Sequence, residues 1–321
     1  MFCGQPFEKI EIYENGEVYT CCPPFLQFYS IGNIFNEPFD EIWNGKKAQE
    51  FRQKMLNGDL STCLDICNRK FLNEKPTNNH KLILDKYPEE ISVSTDNICN
   101  INCTICRDNG HNIQQKDFEQ ELEGAWLPVF KNAKIVRFGC SGEPFSSLKE
   151  KALIKKITEK YPNVRFQFHT NGILGSELIL KELNVYDRIE IMTVSMHSAT
   201  EEIYNKVCIG GNYQRVIQNL NLYSKMKKEN LIQFFRMIFV VYSENYKDMT
   251  KFIELAEELG AEAQFWAYRK NDTEIGRNYE KYSIIEPSHP LNKDLVNMLK
   301  QDIFNKPNVI LYPELQALKN Q

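Results

Sequence analysis

The chain has 321 residues, with 39 Lys and Arg against 43 Asp and Glu, so its net charge at pH 7 is −4. This length predicts one large or two smaller domains, and the charge offers no basic patch for a nucleic-acid partner. No apolar run is as long as a membrane span, and the first residues do not form a signal peptide. Ten cysteines without a secretion signal favour thiolate ligands in a reducing cytosol over disulfides, so we predict a cytoplasmic protein.

The first 72 residues contain a predicted β-hairpin, a predicted helix and half of the cysteines. Apolar residues alternate on both sides of Asn15-Gly16, a strong hairpin signal, and the hairpin would bring Cys3 and Cys21 to the same end. Residues 39–56 carry apolar side chains near helical spacing. The five cysteines of this segment are Cys3, Cys21, Cys22, Cys63 and Cys67.

The central motif is a set of three cysteines, Cys99, Cys103 and Cys106, with C-x3-C-x2-C spacing after a predicted strand at residues 90–95. Three thiolates can hold three irons of a [4Fe–4S] cube and leave the fourth iron open to a small molecule. A structural zinc site would instead require four protein ligands, and an odd number of cysteines does not fit disulfide pairing. The loop after a strand is also where α/β folds place their chemistry.

Further strands are predicted at residues 134–138, 164–169, 189–197, 234–242 and 263–268, with helical patterns between them. This alternation requires a parallel sheet, and six units predict an α/β fold, a partial (β/α)6 TIM-like barrel with a small N-terminal iron–sulfur module of hairpin and helix. We predict the module at residues 1–72, a linker at 73–84, the barrel at 85–271 and a C-terminal helix-and-strand extension at 272–321. The candidate functional residues lie at the C-terminal ends of the strands, where barrels of this kind carry their active sites.

The segment from Asn97 to Cys106 resembles the signature of the radical S-adenosylmethionine (SAM) superfamily. The resemblance implies that the cluster binds SAM and cleaves it reductively to a 5′-deoxyadenosyl radical. It implies cofactor-binding roles for Gly142, Glu143, Asn171, Ser195 and Ile105. Cys208 stands where an arginine commonly pairs with the SAM carboxylate in the family, and Lys206 or Arg215 could replace that arginine.

The N-terminal segment resembles the SPASM or twitch module of the same superfamily, which carries auxiliary [4Fe–4S] clusters. The resemblance rests on Gly16-x4-Cys21, the Ile31-Gly32-Asn33 turn, the Glu41-Ile42-Trp43-Asn44 stretch with Arg52, and the Cys63/Cys67 pair. It implies one auxiliary cluster ligated by Cys3, Cys21, Cys63 and Cys67, with Cys22 as a substitute for Cys21. A zinc ribbon with four cysteine ligands is the alternative, because zinc and iron–sulfur sites share thiolate ligands.

We therefore predict a radical SAM enzyme with a SAM-binding and an auxiliary cluster, fed by an electron donor such as flavodoxin or ferredoxin. The expected reaction is abstraction of a hydrogen atom from a peptide or sugar-type substrate, as part of an oxidative modification. One alternative is a radical epimerase in which Cys208 or Cys140 donates a hydrogen atom. Another is a non-catalytic iron–sulfur or zinc scaffold, which formation of 5′-deoxyadenosine would distinguish from either enzyme.

Overall fold

The computed structural model describes residues 2–21, 29–63, 75–77, 79–106, 118–269 and 278–321. Cys22 and Cys67 lie outside these residues. The described residues form two compact units, the first drawn from residues 1–97, 112–142 and 147–167, and the second from residues 98–111, 143–146 and 168–321. The domain boundaries proposed from the sequence stay predictions.

Strands and helices alternate along most of the described chain. The strands are β1 (Lys9–Ile12), β2 (Glu17–Tyr19), β3 (Gly32–Asn33), β4 (Glu90–Val93), β5 (Asn102–Cys103), β6 (Ile135–Phe138), β7 (Arg165–Thr170), β8 (Ile189–Ser195), β9 (Cys208–Ile209), β10 (Phe234–Val241), β11 (Glu262–Ala267) and β12 (Val309–Leu311). The helices are α1 (Gln5–Glu8), α2 (Phe39–Trp43), α3 (Lys46–Leu56), α4 (Phe118–Glu121), α5 (Leu148–Lys160), α6 (Glu177–Glu182), α7 (Glu201–Val207), α8 (Tyr213–Lys228), α9 (Met249–Leu259), α10 (Tyr279–Tyr282), α11 (Asn292–Leu299) and α12 (Pro313–Lys319).

The first unit is built on a mixed sheet in the order β6–β4–β1–β2–β3, with the first three residues of β7 beside β6. Strands β1 and β2 form the predicted hairpin, whose turn places Gly16 at φ +79°, in the left-handed region that glycine adopts readily. Strand β1 also pairs in parallel with β4, in the register Lys9 to Glu90. The N-terminal hairpin thus continues the sheet to which β4 and β6 belong.

The predicted helix over residues 39–56 is divided into α2 and α3. The break falls at Gly45, where a Cβ atom would lie 2.2 Å from the carbonyl oxygen of Glu41. Only glycine fits this close approach, so the chain turns between the two helices.

Arg52, on α3, joins several segments of the first unit. Its side chain is fully buried, and its guanidinium lies 4.2 Å from the centroid of the Trp43 ring. Nε donates to the carbonyl oxygen of Pro6 (3.0 Å), and Nη1 donates to the carbonyl oxygen of Leu82 (2.7 Å) and to Oδ1 of Asn44 (3.3 Å). Burial lowers the pKa of Arg52 to about 10. The guanidinium therefore satisfies three buried or half-buried acceptors from distant parts of the chain.

Replacing Arg52 by alanine should destabilise the first unit strongly. Each buried acceptor left without a donor costs roughly 1–3 kcal/mol, so the expected loss is about 3 kcal/mol or more. Gln53→Ala is the matched control, because Gln53 is exposed on the same helix and should change stability by less than about 0.5 kcal/mol. Urea unfolding followed by tryptophan fluorescence measures both variants. Equal midpoints for the two variants would contradict the role assigned to Arg52.

Three of the N-terminal cysteines pack against one apolar cluster. The cluster consists of Phe2, Phe7, Phe51 and Met55, and the half-buried Cys3, Cys21 and Cys63 all contact it. The hairpin, the segment before α1 and the segment after α3 therefore bring these cysteines to one region of the first unit. Cys67, the fourth predicted ligand, lies outside the described residues.

The second unit is built on a parallel sheet in the order β12–β11–β10–β8, followed by the last three residues of β7. Its core includes three aromatic rings, Phe239, Phe252 and Phe265, whose centroids lie 5.1 to 5.7 Å apart. Helix α9 supplies Phe252 and ends at Gly260, which adopts φ +68°. The strands that the sequence predicted in this unit differ from their predicted ranges only at their ends, whereas the short strands β5 and β9 were not predicted. Among the described residues, no helix is both long and apolar enough to cross a membrane.

Candidate active site

The cysteine motif lies on a loop of the second unit. Cys99 and Cys103 are half-buried and Cys106 is exposed. The backbone N–H of Cys106 donates to the carbonyl oxygen of Cys103 (3.0 Å), which closes a tight turn between these two residues. Burial is the main cause that raises the pKa of Cys99 to about 11. A bound iron would displace the thiol proton, because thiolates are the ligands of such clusters.

A two-stranded ladder fixes the middle cysteine. Strands β5 and β9 pair antiparallel, and this pairing sets Cys103 opposite Cys208. The N–H of Thr104 donates to the carbonyl oxygen of Val207 (2.9 Å), and the hydroxyl of Thr104 lies 3.0 Å from that of Tyr242. The Sγ atoms of Cys103 and Cys208 are 3.8 Å apart. This pairing could not be predicted from the sequence, because the two cysteines are 105 positions apart.

Glu143 is buried and holds three loops of the second unit together. Its backbone N–H donates to the carbonyl oxygen of Ile98 (2.7 Å), next to the cysteine motif. Its Oε1 accepts from the Thr170 hydroxyl (2.8 Å) and from the N–H of Phe145 (3.2 Å), and its Oε2 accepts from the N–H of Asn171 (2.7 Å). Burial raises the pKa of Glu143, and the hydrogen bonds that the carboxylate accepts lower it. Burial has the larger effect, so the pKa is about 7. The carboxylate thus stabilises the surrounding loops. The sequence pattern did not predict this structural role.

The Thr170-Asn171-Gly172 turn at the end of β7 approaches the cysteine motif directly. The side-chain Nδ2 of Asn171 lies 3.6 Å from Sγ of Cys99 and donates to Oδ1 of Asn100 (2.9 Å). Gly172 adopts φ +80°, and a Cβ atom there would lie 2.9 Å from Cγ1 of Val194. The turn therefore needs glycine, and it places an amide donor next to a predicted cluster ligand.

The end of β8 carries a serine that pairs with a histidine of β7. Oγ of Ser195 lies 2.5 Å from Nε2 of His169, which is on β7 directly before the turn just described. Sequence reasoning assigned a role to Ser195 but none to His169. The position of His169 one residue before Thr170 was the available signal.

His197, two residues beyond β8, is buried and adopts a left-handed backbone with φ +60°. Its Nδ1 accepts a hydrogen bond from the N–H of Val240 (3.2 Å), which places the proton of the neutral ring on Nε2. Its carbonyl oxygen accepts from Nδ2 of Asn245 (3.0 Å). Burial, with a smaller contribution from His169, lowers the pKa of His197 to about 3. These contacts make it a structural histidine at the end of the strand.

Stability should therefore depend on pH through His197. The unfolded chain binds a proton near pH 6.5 and the folded chain only near pH 3, so stability falls as the pH decreases through this window, by about 1.4 kcal/mol for each pH unit. In His197→Asn, chosen because asparagine tolerates left-handed backbone, this contribution should vanish. Urea unfolding between pH 5 and pH 7 measures the difference between the two proteins. A difference that does not change with pH would contradict the assignment.

The other predicted site residues lie in different surroundings. Ile105 is half-buried in the turn between Cys103 and Cys106. Gly142 and Cys140 belong to the first unit, in the loop after β6. Lys206 lies on the exposed face of α7, where Nζ pairs with Glu202 at 2.7 Å, and Arg215 is exposed in the first turn of α8. Both cations are therefore exposed residues of the second unit.

Asp248 fixes the loop that leads from β8 to α7. Its buried Oδ2 accepts from the Ser198 hydroxyl (2.7 Å), from the N–H of Ala199 (2.6 Å) and from the N–H of Thr200 (2.9 Å). Sequence analysis did not identify this carboxylate, which lies 50 residues from Ser198. It orders the segment that precedes Cys208.

The chemistry of the donor set fits an iron–sulfur cluster. Three thiols lie on one loop, an amide N–H of Asn171 points at Sγ of Cys99, and a fourth thiol, that of Cys208, lies against Cys103. Such donors to the ligand sulfurs are a usual part of cluster environments. Within the described ranges, no three His, Cys, Asp or Glu side chains converge as closely as the ligands of a single metal ion. In a cube, by contrast, each of the cysteines binds a different iron.

A three-cysteine loop in contact with residues at the C-terminal ends of parallel strands is typical of SAM-dependent radical proteins. The model of the radical SAM superfamily matches residues 93–256, and an iron–sulfur cluster-binding domain, SPASM, matches residues 3–70. The chain belongs to the radical SAM superfamily, with its SPASM domain before the radical SAM domain. Its cofactors are accordingly a [4Fe–4S] cluster with SAM and auxiliary iron–sulfur clusters, as predicted.

Individual relatives are more distant. A protein named "Probable GTP 3′,8-cyclase" from Methanocaldococcus jannaschii is 25% identical over 212 residues, which cover 63% of this chain and 67% of that protein. One of the same name from Saccharolobus islandicus is 25% identical over 173 residues, 54% of each chain, so this chain spans only about half of that relative.

Among solved structures, Streptococcus suis SuiB bound to precursor peptide SuiA has a TM-score of 0.50 and 15% sequence identity, and the match covers 97% of this chain and 73% of that one. This similarity concerns the fold. It confirms the predicted α/β class with its mostly parallel sheet, and the SPASM match confirms the predicted N-terminal module.

Proposed function

We propose that this radical SAM protein oxidises a peptide or sugar-type substrate, with the SPASM cluster as electron acceptor. The observation that carries the proposal is the convergence of Cys3, Cys21 and Cys63 on one apolar cluster of the first unit. A second iron–sulfur site would give the substrate radical a place to deliver its electron. When bound, the cluster at Cys99, Cys103 and Cys106 supplies the electron that splits SAM into methionine and the 5′-deoxyadenosyl group, which takes a hydrogen atom from the substrate.

The residues of the second unit have separate tasks in this proposal. Cys99, Cys103 and Cys106 hold the cluster, and Asn171 donates its amide N–H toward Cys99. Glu143 fixes the loops on which Asn171 and Thr170 stand. His169, at the end of β7, and Ser195, at the end of β8, form a polar pair. We propose that this pair contacts SAM. Ile105 is proposed as a backbone contact to SAM, whereas Gly142 belongs to the first unit.

The electron and atom balance defines the expected product. One electron from a donor such as flavodoxin or ferredoxin would cleave SAM, and one hydrogen atom would move from a substrate carbon to the 5′-deoxyadenosyl radical, which gives 5′-deoxyadenosine. The substrate radical then loses one electron to the auxiliary cluster and one proton to the medium. The product is therefore two hydrogen atoms lighter than the substrate, and each turnover consumes one SAM.

The test starts from anaerobically reconstituted protein mixed with SAM and dithionite. Formation of 5′-deoxyadenosine and methionine, measured by liquid chromatography, is expected. Absence of both products from protein that contains its clusters would support the scaffold alternative and contradict the proposal.

The substrate class needs a separate experiment. SuiB was solved with a precursor peptide and the cyclase relatives carry the name of a nucleotide reaction, but identities of 15% and 25% leave the substrate open to measurement. Incubation with peptide and sugar pools, followed by mass spectrometry, should find a compound lighter by two hydrogen atoms. A pool in which 5′-deoxyadenosine formation rises above the substrate-free rate identifies the class.

Epimerisation is the second candidate function. It is supported by the buried thiol of Cys208, whose Sγ lies 3.8 Å from Sγ of Cys103 on the cysteine loop. A thiol can return a hydrogen atom to a carbon radical, and Cys140 is the rival donor. Turnover in heavy water distinguishes the two functions. An epimerised product would carry one deuterium at the inverted carbon, whereas the oxidised product would be lighter and carry none.

A further inference from the structure

A thiol outside the predicted ligand set lies in direct contact with a predicted ligand. The ladder between β5 and β9 sets Cys208 opposite Cys103, and the two Sγ atoms are 3.8 Å apart. This separation suits a hydrogen bond between a thiol and a second sulfur. Cys208 is only 1% exposed, so water does not compete for its S–H group.

The S–H group of Cys208 has two acceptors within reach. One is Sγ of Cys103, and the other is the carbonyl oxygen of Met196, 3.6 Å from Sγ of Cys208. A cysteine that binds iron is a thiolate, and hydrogen bonds to a charged acceptor are stronger than those to a neutral one. With the cluster in place, the proton of Cys208 is therefore directed to Cys103.

The backbone around Cys208 holds this geometry. A Cβ atom at Gly211 would lie 2.8 Å from the carbonyl oxygen of Cys208 and 2.6 Å from the hydroxyl of Tyr204. The N–H of Gly211 donates to that same carbonyl oxygen (2.8 Å). Together with the bond from Thr104 to Val207, this tight turn keeps the thiol against the cysteine loop.

We propose that Cys208 is a positioning residue that donates an S–H···S hydrogen bond to Cys103 and thereby raises the reduction potential of the SAM-binding cluster. The sign follows from charge. The reduced cluster carries one more negative charge than the oxidised cluster, so a donor at a ligand sulfur stabilises the reduced state more. The inference rests on the proposed function, because it takes Cys103 as a ligand of that cluster.

Three substitutions at position 208 test the proposal. Cys208→Val fills a similar volume without a donor, Cys208→Ala removes donor and volume, and Cys208→Ser keeps a donor. The midpoint potential of the SAM-binding cluster is measured by reductive titration with electron paramagnetic resonance, and this cluster is identified by the change that SAM causes in its signal. The auxiliary cluster of the same molecule is the internal control.

The valine and alanine variants should show a lower potential of the SAM-binding cluster, and the serine variant should return toward the wild-type value. The auxiliary cluster should not change. Equal potentials in wild type, valine and alanine variants would overturn the proposal, and so would a serine variant that behaves like valine.

A measurement on the wild type covers the case in which the variants do not take up iron. When the wild-type protein is loaded with iron, the infrared S–H stretching band of its buried, slowly exchanging thiol should shift to lower frequency, because the acceptor Cys103 becomes a thiolate. A band that is the same in apoprotein and holoprotein would overturn the proposal. Failure of the wild type to form 5′-deoxyadenosine contradicts the proposed function instead, whereas an unchanged potential with normal 5′-deoxyadenosine formation contradicts only the role of Cys208.

Discussion

Replacing Cys99, Cys103 and Cys106 by alanine should abolish reductive cleavage of SAM while the first unit still binds iron. The three cysteines stand on one loop of the second unit, and Cys3, Cys21 and Cys63 each pack against one apolar cluster of the first unit. Two [4Fe–4S] clusters amount to roughly eight irons per chain, so the triple variant should retain about four of them. Iron analysis and the assay for 5′-deoxyadenosine measure the two effects.

The reciprocal variant, with Cys3, Cys21 and Cys63 replaced, is the matched control. It should also lose about half of the iron but keep the SAM-dependent change in the spectrum of the remaining cluster. About four irons and one zinc in the wild type would instead indicate a zinc site in the SPASM domain, which would remove the electron acceptor of the proposed oxidation.

The strands could be predicted because their signal is local. Alternating apolar residues along β4, β6, β7 and β8 predicted each strand to within two residues at its ends, and helices between them required parallel pairing. The C-x3-C-x2-C spacing is local as well, and it predicted the class of cofactor. The superfamily match confirms both the fold class and the cofactors.

The partners of the site residues could not be predicted, because they come from distant parts of the chain. The pairing of β5 with β9, which joins Cys103 to Cys208, spans 105 positions in short strands of two residues each. Ser195 was assigned from its strand end alone, but its contact with His169 depends on how β7 and β8 are placed side by side. The pairing of β1 with β4 was missed for the same reason, since the hairpin signal reports only on β1 and β2.

Glu143 shows how the structure alters a predicted role. The resemblance to the superfamily implied that this carboxylate has a role in binding the cofactor. In the structure both carboxylate oxygens accept hydrogen bonds from protein donors of the second unit. A contact with SAM therefore remains a proposal, while the support of Thr170 and Asn171 is a property of the fold.

Removal of the Glu143 carboxylate should accordingly cost both stability and SAM affinity. Glu143→Ala leaves the donors of Thr170, Asn171 and Phe145 without an acceptor, and each unsatisfied buried donor costs roughly 1–3 kcal/mol, so the expected loss is about 3 kcal/mol or more. Urea unfolding measures the stability of the variant, and calorimetry measures its affinity for SAM. Glu177→Ala is the matched control, because its exposed pair with Lys181 contributes less than about 1 kcal/mol.

The isosteric variant Glu143→Gln adds a test through pH. The folded protein binds a proton at Glu143 near pH 7 and the unfolded chain near pH 4.5, so this group makes the wild type less stable as the pH rises from 4.5 through 7. Glutamine does not titrate, so the difference in stability between wild type and Glu143→Gln should change with pH in this window and become constant above it. A difference that is constant from pH 5 to pH 8 would show that the buried carboxylate keeps its ordinary pKa. Weakened SAM binding in Glu143→Ala, with iron content unchanged, would still place the residue in support of the SAM site.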